Sequence, residues 1–298
     1  MADILITILV VAFLVLLWIM LYDSNRFVVR RYRVRDRKIC RKVRAVVLAD
    51  LHNKQYGKEN ERLLAAIAEC EPDLVLVAGD MITAHPGKKP DVAVRLMNQL
   101  AEKYPVYYGN GNHEQRLKLY PDTYKGLGEQ YSQALEQAGI SPLVNSSVML
   151  QEYGIAVYGL EIDRFYYRRC REQPMEAAYL DSVLGQADPS VYNVLLAHNP
   201  DYFPQYAEWG ADLVCSGHIH GGMVRIPLLG KGVVSPKVRF FPRYDGGVFT
   251  EGKSTMILSR GLGMHRIPIR LFNPGELVVV DFLPDQEAAD LADERTKD

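Results

Sequence analysis

The longest apolar run comes first: residues 4–22 carry no charge, and Trp18 and Tyr22 stand near the far end of that run. At about 1.5 Å per residue such a helix comes close to spanning the roughly 30 Å hydrocarbon layer of a bilayer. Aromatic residues of this kind favour the interface. A core helix of that length would carry a polar face, and a cleaved signal peptide would carry a basic leader and a small-residue cleavage site. The sequence has none of these, so one transmembrane helix is predicted within an anchor at 1–25.

Past residue 44 the pattern changes to short β-branched and apolar runs, at 45–49, 74–78, 106–108, 155–158, 194–197 and 213–215. Amphipathic stretches fall between or after them, at 59–69, 92–104, 129–138, 175–184 and 202–208, and the alternation predicts an α/β domain. Residues 224–282 are richer in Gly and Pro and read as strands with long loops, ending in the apolar run 277–280. No repeat or Ser/Gly linker divides the stretch. One domain is expected over 45–284, then an acidic, frayed tail at 285–298.

Between anchor and domain, residues 26–44 hold ten Lys or Arg against Asp36 alone, while Asp3 and the amino terminus are the only charges on the other flank. This juxtamembrane collar predicts a single-pass protein of the cell membrane with its domain in the cytoplasm. A second reading adds contact with anionic headgroups, about 1 kcal/mol per basic residue at the surface. Nucleic acid is not an expected partner, because Phe27 and Tyr32 are too few for a stacking platform and the formal net charge is only -1. Cys40, Cys70, Cys170 and Cys215 are too scattered for a thiolate zinc site or a disulfide framework.

The chemistry lies in the polar residues that follow the predicted strands. Asp50-Leu51-His52, Gly79-Asp80, Gly111-Asn112-His113-Glu114, His198 and Gly217-His218-Ile219-His220 occur in that order, each after a strand, on the edge where open α/β sheets bind ligands. Singly they are weak: an Asp before a turn is usually a helix cap and a lone His a structural residue. Together they supply the carboxylates and imidazoles of a two-metal hydrolytic site. Asp50 and His52, on alternate residues, can face one ion, and Asp80 has two oxygens to divide between two cations. Asn112 offers a carbonyl oxygen, His198 an imidazole, and His218 and His220 a pair whose rings can reach different metals. Without Cys, this donor set suits Mn, Fe or Zn and does not choose among them. No GxGxxG, GxxxxGK[ST] or GxSxG motif competes with it.

On those motifs the chain resembles the calcineurin-like metallophosphoesterases over most of its soluble part. His220-Gly221-Gly222, Ser259 to Gly263 and Ile269 to Glu276 are similar to a membrane-anchored bacterial branch. The resemblance implies an α/β/β/α four-layer sandwich, with Asp50, His52, Asp80 and His220 on a first metal and Asp80, Asn112, His198 and His218 on a second. His113 would be the catalytic histidine that acts on substrate, and a metal-bridging hydroxide the nucleophile, cleaving a phosphomonoester, phosphodiester or pyrophosphate bond. A lipid-linked substrate, as in a UDP-2,3-diacylglucosamine hydrolase, follows from the anchor. The alternatives are a nuclease-type phosphodiesterase and a non-catalytic metal-binding scaffold.

Glu114 either orients His113 or a ligand, or caps the surface. Tyr166, Tyr167, Arg168 and Arg169 either line the approach to phosphate or form a solvated face. Met81-Ile82-Thr83 and Met223 depart from the family's pattern and bear on substrate preference, not on the metal ligands.

Overall fold

The computed structural model describes residues 1–168, 173–176, 178–227, 229–235, 239–264 and 268–285. The expected tail therefore lies, from 286 on, outside the described residues, as do Arg169 and Cys170.

The strands are β1 (Phe27–Asp36), β2 (Val43–Leu48), β3 (Leu74–Ala78), β4 (Val106–Gly109), β5 (Ser146–Leu150), β6 (Ile155–Leu160), β7 (Tyr192–Ala197), β8 (Leu213–Ser216), β9 (Gly247–Glu251), β10 (Ser254–Leu258) and β11 (Gly275–Pro284). They form two sheets, ordered β1-β11-β2-β3-β4 and β5-β6-β7-β8-β10-β9. In the first, β2, β3 and β4 are parallel neighbours, and in the second β6, β7 and β8 are. The helices are α1 (Ala2–Ser24), α2 (Glu61–Glu69), α3 (Asp91–Ala101), α4 (Asn112–Leu119), α5 (Pro121–Tyr124), α6 (Leu127–Gln137), α7 (Ala178–Leu184) and α8 (Phe203–Trp209).

Strand alternation builds the layers. On β2 and β3, Val46, Leu48, Val75 and Val77 pack with Leu63, Ile67, Leu96 and Leu100 from α2 and α3. Their alternate neighbours Ala45, Val47, Leu74 and Leu76 pack instead against Val157, Val194, Leu196 and Leu213 of the second sheet. The outer face of that sheet, with Tyr158, Leu195 and Val214, is covered by Leu180, Phe203, Tyr206 and Trp209 from α7 and α8. Three apolar seams separate four layers, the expected α/β/β/α sandwich, and their continuous runs mark strands buried on both faces.

The basic segment 26–44 does more than precede the domain. Residues 27–36 form β1, which pairs with β11 along its whole length at the edge of the first sheet. Tyr32 and Val34 point into the seam between the sheets, while Arg31, Arg33 and Arg35 are exposed. Alternating arginines on an edge strand oppose pairing with another chain, a purpose that composition alone does not reveal. The sheet thus begins well ahead of residue 45, where the domain was expected to start.

Helix α1 is long and apolar enough to cross a membrane: its most apolar 18-residue stretch has a mean hydropathy of 3.2, and none of that stretch is buried in the fold. It ends against the domain, because Asp23 is buried and its Oδ2 accepts the Asn273 backbone N–H at 2.9 Å. Asp23 also pairs with Arg26 at 2.8 Å.

Candidate metal centre

The carboxyl ends of β2, β3, β4, β7 and β8 meet where the two sheets stack, and Asp50, His52, Asp80, Asn112, His113, His198, His218 and His220 lie there. The loops after β2 and β3 run side by side: the Asp50 N–H donates to the Gly79 carbonyl at 2.9 Å, and the His52 N–H to the Asp80 carbonyl at 3.1 Å. Asp50, His52, Asp80, His218 and His220 all have left-handed backbones, with φ of 51°, 49°, 57°, 73° and 52°. Strand alternation was the expected reason for Asp50 and His52 to converge, and for His218 and His220 to diverge. Successive left-handed turns do it instead, at a cost of order 1–3 kcal/mol per residue that the surrounding fold must hold in place. His and Asp tolerate this region better than most residues.

The geometry resolves into groups. Asp50, His52 and His220 place one donor atom each within 4.8 Å of the others, and Asp80, His198 and His218 do the same. In the first group Asp50 Oδ1 lies 3.2 Å from His220 Nε2 and 3.7 Å from His52 Nε2, and the two nitrogens are 3.2 Å apart. Donors bound at about 2.0–2.2 Å around a tetrahedral ion would sit roughly 3.4 Å from one another, so this triangle already has the edges of a coordination shell. In the second group Asp80 Oδ2 is 3.0 Å from His198 Nε2. Asn112 opens α4 beside it, and its buried Oδ1 has no hydrogen-bond partner. Such an orphaned acceptor is the kind of group a cation satisfies. The residues present therefore fit a two-cation site.

Hydrogen bonds fix the neutral tautomers of two of the histidines. His52, Asp80 and His113 form a third close group. His113 Nδ1 accepts the Ala84 backbone N–H at 2.7 Å, so the neutral ring carries its proton on Nε2, the atom facing Asp80 at 3.9 Å. His198 is the reverse: Nδ1 lies 2.7 Å from the Ala78 carbonyl oxygen, to which it donates, so that the neutral ring has its lone pair on Nε2. One ring is set to donate a proton into the site and the other to bind a cation.

Electrostatics agree. Burial alone would raise the Asp50 and Asp80 carboxyls, yet the imidazoles beside them hold both well below the usual carboxylate range. Burial alone would lower His198, but Asp80 pushes it up to about 9. Among the described residues no Lys or Arg pairs with either carboxylate, so their compensating charge comes from protonated imidazoles or from metal.

Glu114, weighed as a partner or a surface cap, is a buried cap. Its Oε2 accepts the N–H groups of Asp80 and Gly111, both at 3.0 Å, and its Oε1 accepts the Met81 N–H at 2.8 Å and the Tyr108 hydroxyl at 2.9 Å. It thereby fixes the turn that aims Asp80, whose Oδ1 in turn accepts the His113 N–H at 2.8 Å. A Cβ on Gly111 would collide with Asp80, and one on Gly217 with Asp50. Thr83, in the segment that departs from the family's pattern, sits with Oγ1 at 3.4 Å from His52 Nδ1. Tyr167 packs edge-on to His218 with ring centroids 5.4 Å apart, so it belongs to the site, whereas Arg168 is exposed.

Two residues of the segment 269–276 were given no role from the sequence. Asn273 Nδ2 donates to the His220 carbonyl at 2.7 Å. Arg270, fully buried, donates to the carbonyls of Arg260, Gly261, Gly263, Asn273 and Pro274 and clamps the loops around them. The local signals were the likeness of 269–276 to the family and an Arg beside an Asn-Pro-Gly turn in a largely apolar stretch.

Residues 43–222 match the profile described as calcineurin-like phosphoesterase. The chain belongs to that family. Members of the family use a binuclear divalent-metal centre, which the paired Asp/His groups accommodate. The chain is similar to an uncharacterized metallophosphoesterase of Campylobacter jejuni, at 27% identity over 244 residues covering 80% of this chain and 59% of the relative. Phosphodiesterase YaeI of Escherichia coli is 25% identical over 218 residues, 72% of this chain and 73% of the relative. A Danio rerio protein named as a transmembrane protein with metallophosphoesterase domain is 26% identical over 245 residues, 79% of this chain and 52% of the relative. Against the Campylobacter protein and a Helicobacter pylori metallophosphoesterase the match spans only 59% and 62% of their lengths.

Proposed function

We propose that the chain is a membrane-anchored phosphoesterase that hydrolyses a phosphoester at the bilayer surface, using two divalent cations and His113. The observation that carries this reading is the pair of Asp/His groups with His113 turned proton-first toward them. In it, Asp50, His52, Asp80 and His220 hold one cation and Asp80, Asn112, His198 and His218 the other. When bound, such a pair acts as Lewis acid and makes water nucleophilic near neutral pH. The chain's own residues do the rest. Gly111 and Gly217 let the carboxylates approach the opposing backbone, Glu114 fixes the Asp80 turn, and His113 Nε2–H donates to a phosphoryl or leaving oxygen.

The anchor supports a membrane-borne, lipid-linked substrate, since the end of α1 is tied to the site by Asp23 to Asn273 and Asn273 to His220. Confinement to the surface raises the effective concentration toward such substrates. The basic collar keeps its reading as a cytoplasmic-side determinant.

The chain with α1 in place is the one to assay, because removing residues 1–25 takes Asp23 away from Asn273. With Mn, Fe or Zn, hydrolysis of bis-aryl phosphate, aryl monophosphate and a nucleotide-sugar lipid is expected for at least one substrate, with Asp80→Asn inactive. No turnover on any of them, or an active Asp80→Asn, would defeat the proposal. A reporter fused after Asp298 is expected to read cytoplasmic.

A further inference from the structure

A cavity of about 880 Å³ opens directly from the metal centre, with His52 and His113 as its inner wall. Lys54, Lys88 and Arg116 line it, and among its described lining residues there is no Asp or Glu. Three cations facing a partly enclosed space with no anion opposite make a positive potential that concentrates anions. Arg116 donates from Nη2 to the Tyr124 hydroxyl at 2.9 Å, while its Nε is buried without a hydrogen-bond partner. The buried Tyr124 ring and the Met264 side chain give the same cavity an apolar wall.

The cavity is also fastened to the apolar helix. Lys54 Nζ donates to Asn25 Oδ1 at 2.9 Å, and Asn25 is the residue that ends α1. One cation of the cavity thus stands at the point where the predicted membrane segment enters the domain. The volume is that of a headgroup or drug-sized ligand, too small for a pair of long acyl chains.

We propose that this cavity is a subsite for the anionic headgroup of an amphiphile. It takes a phosphate- or diphosphate-bearing lipid with an anionic phosphate on Lys54, Lys88 and Arg116 and its first apolar carbons on Tyr124 and Met264. The acyl chains stay in the bilayer beside α1. This deepens the phosphoesterase reading and rests on it for the identity of the reacting phosphorus, but binding by the subsite itself needs neither metal nor turnover.

The test is equilibrium binding by the full chain in dodecyl maltoside micelles after chelation of metal, with dioctanoyl phosphatidic acid, dioctanoylglycerol and inorganic phosphate as probes. Phosphatidic acid is expected to bind at least tenfold more tightly than either of the others. Lys88→Gln, alone and with Lys54→Gln, is expected to weaken it about tenfold or more, and Lys253→Ala, far from the cavity, not to change it. Met264→Gln is expected to weaken phosphatidic acid and leave inorganic phosphate unaffected, an outcome that misfolding would not give.

Equal affinity for phosphatidic acid and inorganic phosphate would overturn the amphiphile. Equal affinity for phosphatidic acid and dioctanoylglycerol would overturn the role of the cations. Undiminished binding in the lysine variants would place the site elsewhere. A chain that binds the lipid but hydrolyses nothing would instead defeat the phosphoesterase reading and leave the subsite standing.

Discussion

Glu114→Gln is the substitution whose effect the structure defines best. The carboxylate is 3% exposed and accepts from four donors, three of them backbone N–H groups. Glutamine keeps the shape but has one acceptor oxygen. With that oxygen toward Asp80 and Gly111, its NH2 group faces the Met81 N–H, and only the Tyr108 hydroxyl can reverse to accept. One buried N–H is then orphaned, at about 1–3 kcal/mol, and two charge-assisted bonds become neutral, at roughly 1 kcal/mol each. Relief of repulsion offsets part of this, since burial and then Asp80 raise the Glu114 carboxyl. The net expectation is a loss of about 2–4 kcal/mol, a large share of a stability of order 5–15 kcal/mol.

Urea denaturation of the metal-free chain in detergent measures that loss, and competition with a chelating dye measures metal affinity, which should fall because the Asp80 turn loosens. Tyr108→Phe is the control: it orphans no N–H but removes one donor to Glu114 and the partner of the Tyr131 hydroxyl at 3.0 Å, and should cost about 1–2 kcal/mol without loosening the Asp80 turn. If the glutamine variant lost less than about 0.5 kcal/mol and bound metal like the parent, the role assigned to Glu114 would be refuted.

His113→Ala is expected to lower kcat by about 10²–10⁴ with the bound-metal content unchanged, because its neutral ring presents a proton to the site; loss of a metal ion on elemental analysis would instead make it a ligand. Metal affinity should fall as pH falls. His198, raised to about 9 without metal, holds its proton up to that pH and must release it to bind a cation. Below that value the affinity should drop about tenfold per pH unit for one released proton, and calorimetry in two buffers of different ionisation enthalpy counts that proton; a pH-independent affinity would contradict the assignment. Gly111→Ala drives a Cβ into the Asp80 carboxylate. It should abolish binding at the cluster containing Asp80, read by metal titration, while a variant that titrates like the parent would show that the approach is less tight than described.

The sequence alone carried what depends on residue type, order and short-range period. Two-residue and 3.6-residue periodicities are local properties of backbone geometry, so the strands holding 45–48, 74–78 and 194–197 and the helices between them were legible. So was the placement of Asp50, His52, Asp80, Asn112, His113, His198, His218 and His220 at one edge, because donors that follow strand ends stay there whatever the packing. The long apolar helix at the amino end needed only a count of residues.

Tertiary structure decided what depends on partners far along the chain. Whether Arg31, Arg33 and Arg35 form a loose collar or an edge strand was settled by β11, hundreds of residues away. Which histidine offers a lone pair and which a proton was settled by the Ala78 carbonyl at His198 and the Ala84 N–H at His113, and neither is a property of the imidazole itself. The left-handed turns that aim Asp50 and His220 persist only because the opposing loops hold them. Asp23 reaches Asn273 across 250 positions, a separation over which no periodicity in the sequence carries information, and so the link from the apolar helix to the Asp/His cluster exists only in the folded chain.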